Sequence, residues 1–189
     1  MKHLLFTMVL CILFLMSACN NQENDELENS APEEEQKSEK IASETDSGDF
    51  VLRLVSEKEM YESGEEVLIT GKIKYIGGKE EIELTHSESP FYFEMIEVNS
   101  GAELSYSLQE IGATTVLKQN EWYEEQYEKG KSTFIEHNNH MDFQNAFIDD
   151  DGFPPGEYEI ELRTNFHTNI EEESQNHNYI TSLVIEVMN

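Results

Sequence analysis

Strict alternation of apolar and polar residues is the feature that most limits how this chain of 189 residues can fold. In residues 66–75 (EVLITGKIKY) the apolar side chains occupy mainly the odd positions, at Val67, Ile69, Ile73 and Tyr75. A period of two places these side chains on one face of a β-strand, whereas a helix would scatter them around its axis. We therefore expect half-buried strands whose charged face meets water.

The same alternation recurs in further segments, which begin at Phe50, Ile82, Phe91, Tyr158 and Ile180. Two alternating sets compete in residues 91–98, and this conflict predicts a strand that is bulged or covered on both faces. The last segment carries apolar residues at Ile180, Leu183, Ile185 and Val187. That spacing predicts one shift in phase within the final strand.

Turn signals separate these segments at intervals typical of a sandwich. They contain Gly, Pro or Ser and lie at residues 63–64, 77–78, 100–101, 130 and 154–156. Residues 50–189 have the size of one domain. We predict an all-β fold, an immunoglobulin-like antiparallel β-sandwich of seven to eight strands, over residues 50–189.

Tyr158 adds detail to this prediction. It follows the turn Pro154-Pro155-Gly156 just inside the predicted penultimate strand, and this pattern resembles the tyrosine corner of immunoglobulin-like folds. The resemblance implies a structural role in which the Tyr158 hydroxyl bonds back to the preceding connection. The Cys…Trp…Cys core of antibody domains is absent from the sequence, so the resemblance extends only to the sandwich architecture.

Two segments have a less regular pattern. In residues 121–129 (EWYEEQYEK) the spacing of Tyr123 and Tyr127 suits a helix face or a strand, and Trp122 with Tyr123 favours a strand. Residues 138–152 have no clean period, and we expect a long loop with one helical turn around residues 142–147. A loop of that length is often functional or covers part of the core.

Residues 20–49 are acidic and contain few apolar residues. They carry eleven acidic residues against two lysines, and Leu27 and Ile41 are their only sizeable aliphatic side chains. Such a composition buries too little apolar surface to offset the entropy of ordering, so we expect residues 19–49 to form a disordered linker. It would act as a solvated spacer or, alternatively, as a specific acidic recognition tail.

The start of the chain predicts a membrane anchor. Lys2 and His3 precede an apolar run that ends near Met16, which is too short for a comfortable membrane span but suits a secretory signal peptide over residues 1–18. The residues LMSAC, which end at Cys19, resemble a bacterial lipobox. The resemblance implies cleavage before Cys19 and a diacylglyceryl group on its thiol, which would hold the protein at the outer face of the bacterial cytoplasmic membrane. A plain signal peptide with an incidental cysteine is the alternative.

Charge excludes some partners. Residues 50–189 hold nine basic and 29 acidic residues, a net charge of −20. Nucleic-acid phosphates need Lys and Arg, so we expect no nucleic-acid partner. The same acidity is compatible with cationic partners or divalent cations.

No sequence motif indicates catalysis, and we expect no cofactor and no enzymatic activity. His137 and His140 could share a metal near Asp142, or they are chance histidines of a polar loop. The consecutive carboxylates Asp149, Asp150 and Asp151 are weak calcium candidates, without the spacing of an EF-hand loop, or they form a solvated acidic turn. An exposed aromatic binding strip is a further possibility, with most of its members expected in the core: Tyr92, Trp122, Tyr123 and Tyr127.

Taken as a whole, the chain resembles the small surface lipoproteins of Gram-positive bacteria, whose single domains are immunoglobulin-like. Residues 65–127 are also similar to the strand order of the BsuPI-type proteinase-inhibitor domain, although that family's Trp-rich stretch is missing here. The resemblance implies a membrane-anchored extracellular lipoprotein whose sandwich is a non-enzymatic binding module for a protein or cell-wall ligand. A proteinase inhibitor is the alternative, with residues 137–153 as its candidate loop.

Overall fold

The computed structural model describes residues 40–134, 140–149, 151–170 and 173–189. These residues contain fourteen strands, one α-helix and a short 3-10 helix (Lys129–Lys131). The first seven strands are β1 (Ile41–Ser47), β2 (Phe50–Ser56), β3 (Met60–Tyr61), β4 (Ile69–Tyr75), β5 (Glu81–His86), β6 (Phe91–Glu97) and β7 (Ala102–Tyr106). The remaining elements are β8 (Ala113–Lys118), β9 (Trp122–Gln126), β10 (Ser132–Phe134), α1 (Met141–Asp149), β11 (Gly156–Thr164), β12 (Phe166–Ile170), β13 (Glu173–His177) and β14 (Ile180–Val187).

The strands form three largely antiparallel sheets. Sheet A has the order β1-β2-β4-β9, sheet B the order β10-β7-β6-β11-β14-β3, and sheet C the order β13-β12-β5-β8. This architecture confirms the all-β sandwich prediction. The predicted number of seven to eight strands is wrong, because turns divide the chain into more strands than alternation reveals. One example is the turn between β8 and β9, after which the chain passes from sheet C to sheet A.

Alternation predicted the buried face of the central strands correctly. In β4 the odd residues, Ile69 to Tyr75, are buried and the even residues are half-buried. In β6 the odd residues, including Glu97, are buried and the even residues are half-buried, so the odd set is the one that faces the core. Strand β14 contradicts the predicted shift in phase: Ile180 is 44% exposed, whereas Thr181 is buried and donates a hydrogen bond to Ser43.

The predicted linker is wrong at its C-terminal end. Strand β1 lies within residues 19–49 and pairs along its whole length with β2, from Ile41 opposite Ser56 to Ser47 opposite Phe50. Gly48 makes the intervening turn with a φ of 60°, a conformation that glycine adopts without steric cost. Composition missed this strand because backbone pairing, rather than apolar burial, holds most of β1. The compact unit therefore begins before Phe50 and includes β1.

Helix α1 occupies most of the region that was predicted as a loop with one helical turn. Its Phe147 is buried, and Phe143 packs partly against the core. The rings of Phe147 and Phe153 lie 5.1 Å apart, and the rings of Phe134 and Phe147 lie 5.7 Å apart. The spacing of Phe143 and Phe147 places both rings on the same face, so α1 covers one end of the core instead of leaving it to a loop.

Candidate functional site

Tyr158 lies where the tyrosine-corner pattern places it. The side chain is fully buried in β11, and its hydroxyl donates a hydrogen bond to the carbonyl oxygen of Pro154 at 2.6 Å. Burial, and then the negative charge of Glu97, raise the pKa of Tyr158 well above the usual range. This tyrosine therefore joins the turn before β11 to the core and has a structural role.

The predicted lipidation site, Cys19, lies outside the described residues, as do His137 and Asp150. Within the described ranges, no helix combines the length and apolar character needed to cross a bilayer. The anchor prediction therefore stays a prediction.

The predicted metal ligands that are described do not converge on a site. Asp149 and Asp151 are exposed, and His140 is half-buried beside the N-terminus of α1. Across residues 40–134, 140–149, 151–170 and 173–189, no three His, Cys, Asp or Glu side chains are grouped so that they could hold a metal ion. The calcium prediction also includes Asp150, so it stays a prediction.

Two other histidines use their ring nitrogens in structural contacts. His86 is buried, with Nδ1 bonded to the Ser87 carbonyl at 2.9 Å and Nε2 to the Thr115 hydroxyl at 2.9 Å. His177 bonds the hydroxyls of Thr168 and Tyr179. Burial, followed by the charge of His167, lowers the pKa of His177 below its ordinary value. Each ring therefore links two neighbouring strands of sheet C, since His86 of β5 contacts Thr115 of β8 and His177 of β13 contacts Thr168 of β12.

The four aromatic residues considered for a binding strip do not form one. Tyr127 is buried, and Tyr123 is half-buried with its hydroxyl bonded to Glu125. Burial and this contact with Glu125 raise the pKa of Tyr123 to about 12. The Trp122 ring lies 4.6 Å from the Arg53 guanidinium and 4.4 Å from the Lys74 ammonium. Tyr92 is on another sheet, so the strip is divided between the core and two surfaces.

The outer surface of sheet B offers a better candidate. Strands β6, β7 and β11 bury one face, and their other face carries an exposed or half-buried set that we name the acidic face: Glu94, Ile96, Glu103, Ser105, Glu159 and Glu161. These residues line an open hollow of about 280 Å³. Because strand pairing brings the consecutive strands β6 and β7 beside the distant β11, the hollow exists only in the folded domain.

Register explains how the carboxylates meet. Glu161 lies directly opposite Glu94, and Ile96 has Glu159 on one side and Glu103 on the other. Like charges placed directly opposite each other in a sheet are unfavourable. The acidic face therefore surrounds one aliphatic side chain with glutamates that repel one another.

One arginine neutralises only part of this charge. Arg163, at the end of the acidic face, makes ion pairs with Glu94 at 2.9 Å and with Glu161 at 2.5 Å. In the described part of the chain, Glu103 and Glu159 form no ion pair. On the same outer surface Val184, opposite Glu159 in β14, is 46% exposed. The face thus combines uncompensated negative charge with exposed aliphatic surface.

Sequence reasoning did not identify this face. The alternating glutamates of β11 predict a strand face that meets solvent. Nothing in the local sequence indicates that β6 and β7 lie beside β11. The nearest signal was Ile96 among the competing residues of β6, which is an aliphatic residue on a strand face that is otherwise polar.

Comparisons with known proteins place the chain in no family. No family model matches it, and no curated protein matches it. Among solved structures it is similar to the crystal structure of a protein from Archaeoglobus fulgidus, at 6% identity over 78% of this chain and 94% of that chain, with a TM-score of 0.29. A TM-score of that size carries no argument. The fold and the surface charge define the class of the protein, which is an acidic all-β sandwich domain.

Proposed function

We propose that this protein is a lipid-anchored extracellular binding module whose acidic face takes a cationic protein or cell-wall ligand. The observation that carries the proposal is the acidic face itself. It is a hollow of about 280 Å³ in which glutamates from β6, β7 and β11 surround Ile96.

Electrostatics favours a cationic ligand at this surface. Each glutamate raises the energy of its neighbours in the free protein, and a ligand with ammonium or guanidinium groups relieves that repulsion as it binds. The net charge of −20 over residues 50–189 would also steer a cation toward the domain and repel anionic polymers. Ile96 and Val184 add the aliphatic contact area that the centre of a protein interface needs.

The proposed location follows from the lipobox resemblance at Cys19. Two acyl chains on this cysteine would give stable attachment, whereas one chain gives only marginal binding. The acidic segment between Cys19 and β1 would then separate the sandwich from the lipid surface. The proposed module acts by binding, without a catalytic centre of its own.

Two matched double variants test the binding surface in a soluble chain of residues 20–189, which keeps the whole compact unit. The test variant, Glu103→Gln with Glu159→Gln, removes two charges from the acidic face. The control variant, Glu66→Gln with Glu121→Gln, removes two charges from exposed positions elsewhere. Both variants have the same net charge, so only the location of the change differs.

The measurement is recovery of ligand from the native cell surface by each immobilised chain, at low and at high salt. We expect the wild-type and control chains to retain a cationic ligand that salt releases, and the test variant to lose it. Equal recovery by the two double variants would show that the acidic face is not the binding surface.

The inhibitor alternative receives no support from the residues described in its candidate loop. Residues 141–149 of that segment form α1, and Phe147 is buried in the core instead of being presented to a protease cleft. An assay of the soluble chain against secreted proteases distinguishes the two functions, because only an inhibitor would block cleavage at micromolar concentration.

A further inference from the structure

Strand β8 forms an open edge of sheet C. Among the described strands at sheet edges, β3 and β10 have two and three residues, and β1 lies against β14 through a hydrogen bond from Thr45 to the Ile180 carbonyl. Strand β8 has six residues and pairs on one side only, with β5. Apart from β1, it is the longest edge strand in the described part of the structure.

Register identifies which backbone groups of β8 point outward. The Gln119 N–H donates to the Glu80 carbonyl at 2.8 Å, and this pair continues the β5–β8 register, in which Lys118 lies opposite Glu81. Hydrogen-bonded pairs alternate with non-bonded pairs in an antiparallel ladder. Leu117, Thr115 and Ala113 therefore bond β5, whereas the N–H and C=O groups of Thr114 and Val116 point away from the sheet.

These outward groups are available for pairing. Within the described residues, the backbone atoms of Gly112, Thr114 and Val116 make no hydrogen bond to another part of the chain. Beyond them the edge is closed, because Tyr75 bridges to Gln119 and the Lys118 carbonyl accepts a bond from Glu121. The open stretch is thus the first part of β8 together with the residues that precede it.

The side chains around this stretch suit a strand interface. Val116 is 53% exposed and Ile111 is 52% exposed, whereas most aliphatic residues of the domain are buried. The strand sequence ATTVLK is rich in β-branched residues and contains no proline, so it lacks a common protection against edge pairing. The one charged residue of β8, Lys118, lies at its closed end.

We propose that β8 binds an extended segment of a cationic protein partner, which adds to sheet C as a further strand. The backbone groups of Gly112, Thr114 and Val116 would pair with the incoming segment, and Val116 would contact an apolar side chain on it. Charge selects the partner, since the exposed residues nearest the open stretch include Glu83, beside Val116 in β5, and Glu110. A second copy of this chain is disfavoured, because residues 50–189 of each copy carry a net charge of −20.

The test uses the soluble chain of residues 20–189 and a blocked synthetic peptide of alternating lysine and valine, about six residues long to match a typical strand. Hydrogen exchange followed by NMR reports each amide. We expect the peptide to bind and to protect the amides of Thr114 and Val116, which exchange freely without it. Peptide binding without protection of these two amides would overturn the proposal.

Two substitutions at one position separate backbone pairing from side-chain contact. Val116→Pro removes an outward N–H while leaving the bonds to β5, and proline is tolerated at such edge positions. Val116→Thr keeps that N–H and serves as the control. We expect the proline variant to weaken peptide binding about tenfold, as loss of one to two hydrogen bonds implies, and the threonine variant to bind nearly as the wild type does. Equal binding by the wild type and both variants would refute strand addition.

A peptide N-methylated at the positions that face β8 provides a second measurement, which is valid even if Val116→Pro unfolds. It should bind about tenfold more weakly than the unmodified peptide, because it cannot donate to β8. Unchanged affinity of the methylated peptide would count against the proposal. Light scattering provides a further check, because a dimer of this chain that the Val116→Pro variant abolishes would show that β8 pairs with a second copy instead. The double variant Glu103→Gln with Glu159→Gln should leave the protection at Thr114 and Val116 intact, so this proposal and the proposed function can fail separately.

Discussion

Replacing Tyr158 by phenylalanine removes one hydroxyl group and little else. The Tyr158 ring keeps its neighbours Phe153 and Phe143, whose ring centres lie 5.1 Å and 6.3 Å away. The Pro154 carbonyl, however, loses a donor at 2.6 Å in a place that water does not reach, since both residues are buried. An unsatisfied buried acceptor costs about 1–3 kcal/mol, and we expect the free energy of unfolding to fall by that amount.

Urea unfolding of the soluble chain measures this loss, and thermal unfolding should show a fall of about 2–4 °C in melting temperature for each kcal/mol. The matched control is Tyr92→Phe, because the Tyr92 hydroxyl bonds the Ser87 hydroxyl at 3.0 Å on a half-buried surface that water can reach. The control should lose less than about 0.5 kcal/mol. Equal stability of the Tyr158 variant and the wild type would show that the hydrogen bond to Pro154 does not stabilise the turn. That result would refute the structural role of Tyr158 as a tyrosine corner.

Three further predictions concern other parts of the chain. Cys19→Ser should abolish lipid labelling and leave an uncleaved or shed protein, and equal labelling of wild type and variant would contradict the anchor. Gly152→Ala should cost about 3 kcal/mol in urea unfolding, because a Cβ there would lie 2.4 Å from the Glu65 carbonyl oxygen, whereas Gly130→Ala, with open space around it, should change little. Burial raises the pKa of Glu97, but hydrogen bonds from Ser100 and Asn99 outweigh it and hold the pKa below its ordinary value. A lowered carboxyl pKa contributes stability that is present above the unfolded value of about 4.3 and is lost as the pH falls through the folded value, so Glu97→Gln should flatten the acid limb of a stability–pH curve, and an unchanged limb would refute this.

Sequence patterns predicted the local features of most strands correctly. They predicted the boundary of the folded domain less well. The buried faces of β4 and β11 follow from alternation, and the strand character of β9 follows from Trp122 and Tyr123. The predicted end of the linker is wrong because β1 is held by backbone pairing with β2. Amino-acid composition carries no information about such pairing. The predicted shift in phase within β14 is wrong because Thr181, a polar residue, is buried against β1.

The sequence by itself determined the all-β class, the inward side of most strands, the acidity of the domain and the position of Tyr158 at a turn. These properties depend on residues that are close together in the chain, where a period of two or a Pro-Gly turn acts directly on the backbone. Tertiary structure alone decided the division into three sheets, the acidic face and the open edge of β8. Each of these depends on which strands become neighbours, as when Glu94 meets Glu161 across 67 positions of sequence. Such pairings are chosen by the packing of the whole core, and no local pattern records them.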